Sequence, residues 1–159
     1  VMIKRVSRKI RPFEVEIGRL FSSSPLSEDP RNHCDPILEV LQDPKYLDEH
    51  IIVMPLVMLS TEPSFDTVGE VVDCFRQLFE GLSFMHANFV AHRDCGRFNI
   101  VQDARHLHPE GFHPVEPYIN KTHHGLARYI TRTECWPRYY LINFGLSRCY
   151  NPAVGPPLE

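Results

Sequence analysis

The sequence predicts an α+β domain, and three observations carry that expectation. Ile51-Ile52-Val53-Met54 is a β-branched run stopped by Pro55, which reads as a strand. Val68, Val71, Val72, Phe75, Leu78, Phe79, Leu82 and Met85 recur at steps of three and four, which is helical spacing. Three short strand-like runs follow: Phe89-Val90-Ala91, Asn99-Ile100-Val101 and Tyr139-Tyr140-Leu141-Ile142.

The other elements follow in order. Val1-Met2-Ile3-Lys4 reads as a short strand in a basic stretch whose Val1, Ile3, Val6 and Ile10 look half buried. Residues 14–21 read as a short helix closed by Ser22-Ser23-Ser24-Pro25. Residues 22–36 hold three prolines with Ser, Asp and Asn, and read as loop. Residues 37–41 form a strand that pairs with 51–54 as a hairpin. The long helix opens on Thr67-x-x-Glu70, a capping-box pattern, and its eight-residue stripe is expected to face the core. Residues 103–137 show little periodicity and read as a solvated insertion between two strands.

Composition excludes several classes of function. The 159 residues are 43% apolar and 23% charged, which suits one globular domain that needs no disulfide or metal to hold a core. A net charge of −3 gives no strong basic field, so no nucleic-acid partner is expected. The longest apolar run, 51–59, contains Pro55 and is too short to span a bilayer, so no membrane partner is expected. Five cysteines, an odd number with no C-x-x-C, fit reduced thiols and an intracellular compartment, cytoplasmic or nuclear. The chain opens on Val1 and reads as a piece of something longer.

Polar groups stand where the apolar strands end. His92-Arg93-Asp94 follows 89–91, Asn99 comes five residues after Asp94, and Asn143-Phe144-Gly145 follows 139–142. A carboxylate at a strand end can accept a proton from a hydroxyl nucleophile. An amide five residues on, across a tight loop, can reach a metal on the same phosphate cluster. His92 is expected to bond backbone near Asn143 rather than act as a base. A Cys95–His92 nucleophile pair lacks an orienting third group.

His92-Arg93-Asp94-x-x-x-x-Asn99 resembles the catalytic loop of the eukaryotic protein kinases. Asn143-Phe144-Gly145 resembles their D-F-G element with Asn for Asp. Val1-Met2-Ile3-Lys4 is similar to the V-A-I-K strand, Glu16 to the helix glutamate that pairs with that lysine, and 51–57 to the strand entering the interlobe hinge, with Met54 as gatekeeper. The wording of these motifs is similar to kinase-like proteins of mushroom-forming fungi.

The resemblance implies a partial kinase-like fold: a remnant N-lobe over 1–57, and over 58–159 a partial C-lobe with the 103–137 insertion and a truncated activation segment. It implies Asp94 as the residue that orients the substrate hydroxyl, with His92 and Arg93 beside it. Lys4, steadied by Glu16, would contact phosphates, and Met54, Pro55, Leu56 and Val57 would line the adenine side. Asn99 and Asn143 would take a degenerate magnesium position. ATP and magnesium are the implied cofactors, with magnesium binding weakened. A protein substrate or partner is implied alongside the nucleotide.

Departures from the pattern bear on activity. Asn143 lacks the charge magnesium favours. Gly96 stands where a catalytic-loop lysine is usual, with Arg97 one place later. No glycine-rich loop precedes Val1, and no A-P-E element precedes Glu159. Lys4 to Glu16 is a short interval, which makes Glu14 a rival for the pairing role. The expected function is a descendant of an ATP-dependent protein Ser/Thr kinase with weak or no transfer. The alternatives are a non-catalytic pseudokinase scaffold and a metal-binding module built on His106, His108, His113, His123 and His124.

Overall fold

A computed structural model describes residues 1–153. It is mixed α and β, with two helices and three small antiparallel sheets.

The first sheet is β1 (Met2–Ser7), β3 (Glu49–Met54) and β2 (Glu39–Gln42), with β3 in the middle. Lys4 pairs with Ile52 and Met2 with Met54 across β1 and β3. The period of two turns Met2, Lys4 and Val6 inward and leaves Ile3 and Arg5 outside. Of the basic segment's apolar residues only Val6 is buried; Val1, Ile3 and Ile10 are exposed, against the expectation.

Helix α1 (Glu14–Ser22) buries Glu14, Ile17, Gly18 and Phe21, an i, i+3, i+4, i+7 face. Gly18 permits a close approach: a Cβ there would lie 2.4 Å from Ile37 Cδ1. After α1 the chain runs through a loop in which residues 33–35 lie parallel to β7 (Tyr139–Leu141), with Leu141 N–H donating to His33 O at 2.7 Å and Asp35 N–H to Leu141 O at 3.1 Å.

Residues 55–57 join β3 to β4 (Met58–Leu59), a two-residue strand that no local pattern marks. It pairs with β6 (Ile100–Gln102), and β6 with β7. The third sheet is β5 (Val90–Ala91) against β8 (Arg148–Cys149).

Helix α2 (Val68–Ala87) begins on a complete capping box: Thr67 accepts from the Glu70 backbone, and the Glu70 carboxylate accepts from the Thr67 backbone. Its stripe departs from the expectation. Leu78 and Met85 are buried, Val71 and Leu82 half-buried, but Val68, Val72, Phe75 and Phe79 are exposed, Phe79 at 65%. At about 100° per residue the exposed four lie roughly 120° from the buried set Cys74, Leu78, Gly81 and Met85. The helix is apolar on two faces, and the layer of α1, residues 32–34 and β7 covers one. At that covered face Gly81 lets His33 pack tightly, since a Cβ there would lie 2.6 Å from His33 Cβ. Gln77 closes the join, accepting from Tyr139 N–H at 3.0 Å and donating to Pro137 O at 3.0 Å. The main core gathers Ile17, Phe21, Leu78, Phe84, Tyr139 and Phe144.

Residues 103–137 contain no helix or strand, as the sequence indicates. They are not simply solvated, however. Ala104, Phe112 and Ala127 form a second cluster with Met58, and Leu107 is fully buried. Arg132 is buried there and donates to Gln102 Oε1 at 3.1 Å, Ser60 O at 2.9 Å, Pro63 O at 2.6 Å and Ser64 O at 3.1 Å. No helix of the described residues is long and apolar enough to cross a membrane.

Candidate functional site

The inner faces of β1 and β3, the first turn of α1 and the segment following β7 meet at one small cavity. Lys4 sits at its wall with Met2, Ile52, Met54, Asn143 and Phe144. The Lys4 ammonium pairs with the Glu14 carboxylate and donates to Asn143 Oδ1 at 2.8 Å. Asn143 Nδ2 donates to Asn99 Oδ1 at 3.1 Å, and Asn99 Nδ2 donates to the Asp94 carbonyl at 2.9 Å. One line of contacts therefore runs Glu14–Lys4–Asn143–Asn99–Asp94, across segments more than a hundred residues apart in sequence.

The lysine's partner is Glu14 and not Glu16. Glu14 belongs to the buried face of α1 and is 2% exposed, whereas two residues on, about 200° round the helix, Glu16 is exposed. Glu16 instead borders a surface groove with Cys149 and Leu20.

His92 is fully buried and structural, as expected. Its Nδ1 accepts from the Asp94 N–H at 3.2 Å, which leaves Nε2–H to donate to Ile142 O at 3.1 Å. This is the neutral ring, and burial pushes its pKa down, with the Ile142 carbonyl and Asp94 pulling it back up. The His92 ring stands edge-on to Phe144 at 5.6 Å, and the His92 carbonyl accepts from the buried Ser147 hydroxyl at 2.9 Å. Asp94 is half-exposed at the loop's surface. Arg93 is exposed and has φ of 66°. Asn143 has φ of 68°, a left-handed conformation that Asn tolerates better than most residues.

Pro55, Leu56 and Val57 line a separate cleft of about 550 Å³, together with Leu38, Tyr140 and insertion residues such as Phe112. Met54 belongs to the small cavity and not to this cleft. Asp35, which no motif marks, stands in the wall of both. It is 3% exposed, and neither carboxylate oxygen has a hydrogen-bond partner among the described residues. Burial pushes its pKa up to about 7. An Asp-Pro pair in a polar loop carries no signal of this.

The insertion's imidazoles do not converge. His108 is buried with Nδ1 bonded to Arg128 O, His113 and His123 meet at a tilt with ring centres 4.0 Å apart, and His106 and His124 are exposed. Among the described residues, no group of three or more His, Cys, Asp or Glu side chains is placed to hold a metal ion.

The chain matches no protein-family model and no curated protein.

Proposed function

We propose that the chain is a kinase-like nucleotide-binding unit, descended from an ATP-dependent protein Ser/Thr phosphotransferase, in which transfer is weak or lost. The line of contacts from Glu14 through Lys4, Asn143 and Asn99 to the Asp94 carbonyl carries this reading, because it links four residues of the kinase-like motifs in one hydrogen-bonded chain, of which Lys4 and Asn143 line the small cavity. Of the four non-glycine residues with positive φ among the described residues, Arg93 and Asn143 lie in these motifs, and such backbone collects where function fixes geometry. The cleft beside Pro55–Val57 has a volume in the range of small-ligand sites.

In this reading the base lies against Pro55–Val57 and the phosphates turn toward Lys4. Asp94, half-exposed at the loop surface, orients an incoming hydroxyl. Phosphoryl transfer depends on positioned charge, so each lost charge lowers the rate. The donor set fits magnesium poorly. Asn143 Oδ1 is neutral and already accepts from an ammonium, and Asn99 Oδ1 already accepts from Asn143. Magnesium favours hard anionic oxygens in octahedral array. A scaffolding role for the nucleotide-bound chain is the consequence.

Thermal shift tests the reading. Millimolar ATP or GTP should raise the melting temperature, and Lys4→Met should remove that rise. No shift with either nucleotide would contradict it.

A further inference from the structure

The cleft beside Pro55–Val57 has one chemical peculiarity: with Asp35 ionised, the unpaired polar atoms buried in its walls are all acceptors. Both Asp35 oxygens lack a donor, and Asp35 is 3% exposed. His108 Nδ1 donates to Arg128 O at 3.2 Å, so its Nε2 is an acceptor, and that atom is buried and unpaired too. Asp35 and His108 both line the cleft, whose other walls include Leu38, Leu56, Val57 and Phe112. A buried acceptor without a donor carries its full desolvation cost, which a ligand bringing N–H groups removes.

We propose that this cleft receives a guanine ring in preference to adenine, with guanine N1–H and the 2-amino group donating to the two oxygens of Asp35. The inference rests on the nucleotide reading above. Guanine presents two adjacent N–H donors on one edge, the complement of a carboxylate. Adenine presents a donor beside an acceptor, and its ring nitrogen would face a carboxylate oxygen. Leu38, Leu56, Val57 and Phe112 give a ring apolar contact, and Arg105 and Lys121 also stand in the cleft wall. The carboxyl reaches the cleft by a side-chain rotation, a change that commonly accompanies binding.

Guanosine, inosine, adenosine and xanthosine diphosphates are titrated calorimetrically into the full chain at about pH 8, where the Asp35 carboxyl is ionised. Guanosine diphosphate should bind about tenfold or more tightly than the adenosine form. The inosine form lacks the 2-amino group and should bind more weakly than the guanosine form. Asp35→Asn presents one acceptor and one donor. It should lose about tenfold to a hundredfold for the guanosine form and gain for xanthosine diphosphate, whose C2 carbonyl accepts where guanine donates. Adenosine diphosphate binding as tightly as guanosine diphosphate, or inosine binding equal to guanosine, would overturn the proposal and leave the nucleotide reading standing. Binding by none of the four would overturn the nucleotide reading, and this inference with it. If Asp35→Asn does not fold, the ranking of ligands on the unaltered chain still decides.

Discussion

The Lys4 ammonium donates a 2.8 Å hydrogen bond to Asn143 Oδ1, tying the first strand to a loop 139 residues later. The same ammonium pairs with one oxygen of buried Glu14, so a single cation bonds a carboxylate oxygen and an amide oxygen from two other elements. Where the kinase-like pattern has an aspartate at 143, this chain has a group that accepts from lysine without offering a second negative charge.

The lysine's choice of partner makes the first prediction. Removing one member of a buried ion pair strands the other. Glu14 is 2% exposed and Lys4 34%, which puts the cost of Lys4→Ala near the low end for such pairs, about 3 kcal/mol. Exposed Glu16→Gln should cost less than about 0.5 kcal/mol. Urea unfolding of the two variants checks this, and equal losses would reassign the pair.

Asp35 predicts an unusual pH dependence. Its folded pKa, about 7, lies above its ordinary value of about 4, so the folded chain holds a proton the unfolded chain has released between those values. Its contribution to stability is therefore fully present below pH 4 and is lost as pH rises to about 7. Asp35→Asn removes this loss. The variant's stability relative to the parent should rise by as much as about 4 kcal/mol from pH 4 to pH 8. His92, whose lowered pKa acts in the opposite sense, is common to both proteins and cancels in the difference. A constant difference across this range in urea unfolding would show that Asp35 ionises normally.

Arg132 predicts that the insertion is part of the fold. It donates to three backbone carbonyls of residues 60–64 and to Gln102 from a buried position. Arg132→Ala leaves those acceptors unpaired and should cost about 3 kcal/mol or more, a fall in Tm of roughly 6–12 °C for a chain of this size. A fall under about 2 °C would mean the insertion packs independently of its anchor.

The sequence exposed some of this and hid the rest, for physical reasons. The β-branched run at 51–54 and the Thr67–Glu70 box are local signals, and both elements formed where they point. The α2 stripe misled because Val68, Val72, Phe75 and Phe79 keep helical spacing whether or not anything covers them. Glu14 and Glu16 both lay within reach of Lys4 along the chain; the helix face separates them, and it depends on Ile17 and Phe21 being the buried positions. Asp35 and Arg132 owe their burial to packing between distant segments, which no local pattern encodes. The meeting of Lys4, Asn99 and Asn143 is legible in the order of the motifs that hold them.

Magnesium dependence tests the central claim most directly. Melting temperature with ATP or GTP, measured with and without magnesium, should be insensitive to the metal in the unaltered chain. It should become metal-dependent in Asn143→Asp. A clear magnesium-dependent rise in the unaltered chain, or none in Asn143→Asp, would contradict the account.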